Sequence, residues 1–167
     1  MSRSCSSCSR TGRTKMGDTE PPVDAYPSIF RPETRALECH NSCVAQLLLI
    51  DDDPAVSLTL SRMLEFRGHH VTRVESAEAG LTLAMGTRPD AIILDMKMPQ
   101  MGGLEFLRRL RGAPGLDRLP VGVITGDYFL GEAVLQELGQ LGASVRYKPI
   151  RMEDLAALTD QLLAPTG

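Results

Sequence analysis

Between residues 46 and 163, short apolar runs alternate with longer segments whose apolar positions recur every three or four residues. Gln46-Leu47-Leu48-Leu49-Ile50, Ala91-Ile92-Ile93-Leu94 and Val121-Gly122-Val123-Ile124 hold almost no polar residue. Continuous runs of this length predict strands covered on both faces, as in a parallel sheet between helix layers. His70-Val71-Thr72-Arg73-Val74 alternates instead, which predicts a strand nearer an edge, and Ser144 to Tyr147 predicts a fifth. Helical spacing fills the intervals. Pro54 suits a first turn with Asp53 as its cap, and Val56, Leu60, Met63 and Leu64 recur until Gly68. Ser76 starts a second helix with Ala77, Leu81, Ala84 and Met85 on one side. The third turns Leu104, Leu107 and Leu110 inward and leaves Arg108, Arg109 and Arg111 solvated. Val134, Leu135 and Leu138 mark a fourth, loosened by Gly131, and Met152, Leu155, Leu158 and Leu162 mark the last. Five strand–helix repeats predict a doubly wound α/β domain, a five-stranded parallel sheet with helices on both faces.

Strands that run in one direction place their carboxyl ends on one rim, where ligands of such sheets gather. The first run ends in Asp51-Asp52-Asp53, the third in Asp95, the fourth in Thr125 and the fifth in Lys148. One aspartate at a strand end is commonly a turn cap. Acids, a hydroxyl and an ammonium at four of five ends predict a pocket built from residues far apart in sequence.

Composition adds boundaries. The 167 residues, 43% hydrophobic, suit one domain with a full core. Residues 1–45 are rich in Ser, Thr, Arg and Pro and too poor in periodic apolar positions to build a core, which predicts a disordered N-terminal extension before a domain at 46–163 and a tail at 164–167. All four cysteines lie in residues 1–45. Cys5-x-x-Cys8 and Cys39-His40-x-x-Cys43 could complete a tetrahedral zinc site, but the gap between the pairs lacks finger spacing, so reduced thiols are expected. The net charge is -3. Arg3, Arg10, Arg13 and Lys15 precede any acid, whereas acids outnumber bases from Gln46 onward, which argues against nucleic acid as a partner. No stretch has the length of a membrane span and no apolar signal core leads the chain, so a soluble, cytoplasmic protein without membrane insertion is expected.

Carboxylates crowded at the rim repel, by about 4 kcal/mol for a pair about 4 Å apart at an effective dielectric of about 20. They call for a counter-ion. Hard oxygen ligands with open positions suit Mg²⁺, and with it Asp95 becomes a usable nucleophile toward a phosphoryl group. Thr125 and Lys148 would then hydrogen-bond and neutralise the phosphoryl oxygens.

Leu49-Ile50-Asp51-Asp52-Asp53-Pro54, Ile93-Leu94-Asp95-Met96-Lys97-Met98-Pro99 with Met101-Gly102-Gly103, Ile124-Thr125-Gly126 and Lys148-Pro149 together resemble the receiver domain of two-component response regulators, the CheY-like family with its flavodoxin-like fold. The resemblance implies that Asp51 and Asp52 hold Mg²⁺ with Asp95, and that Lys97 ligates it through its backbone carbonyl. It further implies that Asp95 is the phosphoacceptor, Thr125 the switch hydroxyl and Lys148 the phosphate contact, with a cis bond to Pro149. The donor would be a sensor histidine kinase or a phosphotransfer protein in a phosphorelay. Small Gly126 would leave the acyl phosphate open to water or a phosphatase. Phosphorylation would shift the population of the Thr125 loop and of the face made by the fourth helix, fifth strand and last helix, which a downstream protein reads. As no output domain follows, a stand-alone receiver is expected, a signalling protein and not an enzyme.

One position departs from the pattern. The family usually places Tyr or Phe three residues before the lysine, and Val145 stands there; Tyr147 lies a full step along the strand. This raises the alternative of a protein-interaction module that kept the receiver fold and lost the switch. A phosphatase of the haloacid dehalogenase type would also use a strand-end aspartate, but it wants a second acid two residues on, where this chain has Lys97. No phosphate-binding P-loop motif occurs.

Overall fold

The computed structural model describes residues 44–164. The expectations for 1–43 and 165–167, including the zinc reading of Cys5, Cys8, Cys39, His40 and Cys43, lie outside the described residues. The elements run β1 (Gln46–Ile50), α1 (Pro54–Phe66), β2 (His70–Val74), α2 (Ala77–Thr87), β3 (Ala91–Asp95), α3 (Gly103–Gly112), β4 (Val121–Thr125), α4 (Glu132–Gln140), β5 (Ala143–Tyr147) and α5 (Met152–Leu163). All strand pairs are parallel, in the order β2-β1-β3-β4-β5. The predicted doubly wound α/β fold is present, with β2 at an edge.

The continuous apolar runs are explained by two cores. Leu47, Leu49, Ile93 and Ile124 pack with Leu60 and Leu64 of α1 and Leu155, Leu158 and Leu162 of α5. Leu48, Ile50, Ile92, Leu94 and Val123 pack with Ala77 and Ala84 of α2, Phe106, Leu107 and Leu110 of α3 and Leu138 of α4. Helix starts follow the predicted caps. Asp53 Oδ1 accepts the N–H groups of Ala55 and Val56 at 2.8 and 3.2 Å, and Ser76 Oγ accepts that of Ala79 at 3.2 Å. Each such cap contributes about 1 kcal/mol.

Three side chains differ from the pattern reading. Met85 is 52% exposed, while Ala77, Gly80 and Ala84 form the buried stripe of α2. One residue turns a helix by about 100°, so Met85 swings off the face that Ala84 occupies. In α3 the fully buried aromatic is Phe106, and Leu104 is only partly buried. Arg111 is not solvated as expected: its Nε donates to the Leu141 carbonyl at 2.8 Å and its Nη1 to those of Leu116 and Leu119 at 3.2 and 2.8 Å. It thereby satisfies carbonyls in the α3–β4 and α4–β5 connections. No described helix is long and apolar enough to cross a membrane.

Candidate functional site

The parallel sheet delivers Asp51 just past β1, Asp95 and Thr125 as the last residues of β3 and β4, and Lys148 just past β5. Asp51, Asp95 and Thr125 are 2%, 6% and 0% exposed, so three polar groups are held inside the rim. The Lys148 ammonium bridges the two acids, donating to Asp51 Oδ2 at 2.9 Å and to Asp95 Oδ1 at 2.6 Å. The remaining oxygens take backbone donors: Asp51 Oδ1 accepts the Asp53 N–H at 2.9 Å and Asp95 Oδ2 the Lys97 N–H at 2.7 Å. Thr125 Oγ1 accepts the Asp127 N–H at 3.0 Å, and the Lys148 N–H donates to the Thr125 carbonyl at 2.8 Å. Lys148 is therefore tied to β4 by its backbone and to β1 and β3 by its side chain. The Lys148–Pro149 bond is cis, as the resemblance implied.

Electrostatics follow from this packing. Burial pushes the Asp95 carboxyl above its usual range and the charge of Asp51 adds to the rise, while the Lys148 ammonium and the Lys97 N–H work against it. For Lys148, burial pulls the ammonium down, yet the bonds to Asp95 and Asp51 outweigh it and leave the group raised. The lysine is the fixed positive charge of a pocket that otherwise holds two acids.

Asp51, Asp95, Thr125 and Lys148 are brought together as expected. Asp52 is exposed, and among the described residues no three His, Cys, Asp or Glu side chains are gathered as a metal-ligand set. The donor set nevertheless fits Mg²⁺. Asp51 Oδ2 and Asp95 Oδ1 already converge on one cation, the Lys148 ammonium, and both are hard oxygens. Mg²⁺ needs only one or two carboxylates, because it retains several waters. The Lys97 side chain is directed away from this pair, 74% exposed and 3.2 Å from Asp127 Oδ2. Its ammonium bridges to the β4–α4 loop, which leaves only its backbone to serve the acidic pocket.

Close backbone packing fixes the height of Asp95. A Cβ on Gly103, in the first turn of α3, would stand 2.8 Å from the Asp95 carbonyl oxygen. Beside the pocket, Val56, Leu60, Met63, Lys148, Pro149 and Ile150 border a groove of about 590 Å³. Among the described residues, nothing lies within 4 Å of where a Cβ on Gly126 would stand.

Val145 is half-buried and paired in register with Val123, one step inward from the site. Tyr147 is the residue in register with Thr125. Its ring stacks on Tyr128, with centroids 5.3 Å apart and planes 11° from parallel, and the Tyr128 hydroxyl donates to the Lys148 carbonyl. Sequence reading missed Asp127 and Tyr128. Their signal was the short interval after Thr125, which puts both in the loop leaving the rim.

A doubly wound α/β domain with two buried aspartates, a buried threonine and a bridging lysine on one rim defines a class of fold with a charged pocket at its strand ends. Comparison with known proteins makes the class specific. Residues 47–160 match the family model described as the response regulator receiver domain, and the chain belongs to that family. Response regulator MprA of Mycobacterium sp. (strain KMS) is 37% identical over 124 residues, which cover 73% of this chain and 52% of that protein. MprA of Mycobacterium tuberculosis (strain ATCC 25618 / H37Rv) is 37% identical over 123 residues, covering 72% and 51%. The chain thus spans about half the length of these relatives. Among solved structures, the chemotaxis protein CheY4 of Vibrio cholerae superposes with a TM-score of 0.67 at 27% identity, covering 72% of this chain and all of that one. A receiver domain protein from Clostridium thermocellum gives 0.65 at 28% identity, covering 72% and 94%.

Proposed function

We propose that this receiver accepts a phosphoryl group on Asp95 from a phosphohistidine of a sensor histidine kinase or phosphotransfer protein, and passes the signal to a partner protein or the phosphate to a further relay. The observation that carries the reading is the Lys148 bridge, one ammonium within 2.9 Å of both buried acids. An Asp95 carboxylate oxygen attacks phosphorus, and the P–N bond breaks with its electron pair going to the imidazole, which takes up a proton. Mg²⁺, held by Asp51, Asp52, Asp95 and the Lys97 carbonyl, would supply charge neutralisation at the phosphoryl oxygens. Lys148 orients the nucleophile before transfer and pairs with phosphoryl oxygen after it. Thr125, whose hydroxyl now accepts from Asp127, has its own proton free to donate to the phosphoryl group. The apolar groove bordered by Lys148, which itself bonds Asp95, serves in this reading as a seat for the donor protein. We expect the exchange to occur in the cytoplasm.

Borohydride reduction of the labelled chain converts an aspartyl phosphate to homoserine. Tandem mass spectrometry should then find homoserine at position 95, and homoserine at another aspartate would refute the assignment.

A further inference from the structure

Val145 leaves open how phosphate on Asp95 is felt at the surface, and the stacked tyrosines supply a route. Resting on the Asp95 reading above, we infer that Tyr128 and Tyr147 form a latch that holds the β4–α4 loop in its unphosphorylated arrangement and opens when the site is occupied. Tyr128 is therefore a positioning residue for the Thr125 and Lys148 machinery.

Two chains of contacts join the latch to Asp95. In the first, the Asp95 carboxylate accepts from Lys148, whose carbonyl accepts from the Tyr128 hydroxyl. In the second, Asp95 Oδ2 accepts the Lys97 N–H, and the Lys97 ammonium pairs with Asp127, the residue before Tyr128. Thr125 stands at the root of both. Its Oγ1 anchors the Asp127 N–H, its carbonyl accepts the Lys148 N–H, and its register partner is Tyr147.

A phosphoryl group on Asp95 brings oxygens that compete for the Lys148 ammonium and the Thr125 hydroxyl. Bonds to a charged acceptor are stronger than a neutral hydrogen bond or an aromatic stack. When Thr125 turns toward the phosphate, Asp127 loses its anchor, and the ring of the next residue, Tyr128, is carried off Tyr147. Tyr128 and Phe129 are 61% and 95% exposed, so the loop has no packed interior to hold it once the stack parts. The aromatic readout thus lies across the loop and the strand end, with one ring on each. Val145, one step deeper, is bypassed.

Linkage makes the latch testable from both sides. The chain has three tyrosines and no tryptophan, and Tyr26 lies outside the described residues. In a Tyr26→Phe background the tyrosine bands of the near-ultraviolet circular dichroism and the tyrosine emission report only Tyr128 and Tyr147. Acetyl phosphate with Mg²⁺ should reduce the stacked-pair dichroism and raise quenching of the emission by acrylamide, in samples whose intact mass shows the phosphoryl group. Beryllofluoride, a phosphoryl mimic, should bind Tyr128→Ala about fivefold tighter than wild type, the scale of one stacked pair. Tyr147→Phe, which keeps the stack, should bind beryllofluoride as wild type does. A gain of phosphoryl mass with unchanged tyrosine signals, or a Tyr128→Ala variant that binds beryllofluoride no tighter, would overturn the latch alone. No gain of mass would overturn the Asp95 reading, and the latch with it.

Discussion

Replacing Lys148 with methionine tests the electrostatic core of the site. The substitution keeps the aliphatic stem and removes one ammonium from between carboxylates whose side chains are 3% and 7% exposed. At an effective dielectric of about 20, each attraction is worth about 6 kcal/mol before desolvation, which cancels most of it. Removing one partner of a buried pair costs about 3–5 kcal/mol, because the other charge stays buried. Lys148 is itself 25% exposed, so the lower end applies, about 3 kcal/mol. In urea, with EDTA present, this lowers the unfolding midpoint by about 1–3 M for an m-value of about 1–3 kcal/mol/M. Saturating Mg²⁺ should then stabilise Lys148→Met more than wild type, because the metal becomes the only counter-ion for Asp51 and Asp95. At about 100 times its dissociation constant a bound ion contributes about 2.7 kcal/mol to wild type, and the variant should exceed that. A variant as stable as wild type in EDTA, or equal Mg²⁺ gains in both proteins, would refute the reasoning.

Two further outcomes follow from the packing. His69 is 5% exposed with neither ring nitrogen hydrogen-bonded among the described residues, and burial, aided by Arg67 and opposed by Asp160, pulls its pKa below 6.5. The unfolded chain then binds the proton first, so stability is complete above about pH 6.5 and is lost as the pH falls toward the folded-state value. Urea midpoints between about pH 8 and pH 5 should show this slope, and His69→Phe should flatten it while gaining about 1 kcal/mol; an unchanged slope would remove His69 as its source. Gly103→Ala forces a methyl group against the Asp95 carbonyl and should cost about 1–3 kcal/mol. It should also slow labelling of Asp95 by acetyl phosphate, and normal stability with normal labelling would show that the loop yields freely.

Much of the fold was legible because burial on both faces leaves a plain mark. Apart from Gln46, Asp95 and Thr125 at their ends, β1, β3 and β4 are apolar, and β2 alternates because it sits at an edge. The shared direction of the strands also made the site legible, since Asp51, Asp95, Thr125 and Lys148 follow from strand ends alone. What hydrophobicity does not record is distance. Gly80, without a side chain, lets α2 approach Ile50, whereas apolar Met85 lies off that face. Nor do patterns record where a long side chain folds back, as Arg111 does onto three carbonyls. The Tyr128–Tyr147 stack belongs to the same category. It depends on the path of the β4–α4 loop, which has no periodicity to read.

The central claim is that Asp95 takes one phosphoryl group in a metal-assisted site, and intact-mass measurement of the full chain after incubation with acetyl phosphate tests it most directly. The account predicts a gain of one phosphoryl group with Mg²⁺ present, little with EDTA, and none in Asp95→Asn. Labelling of Asp95→Asn to the wild-type extent, or equal labelling of wild type with and without Mg²⁺, would contradict it.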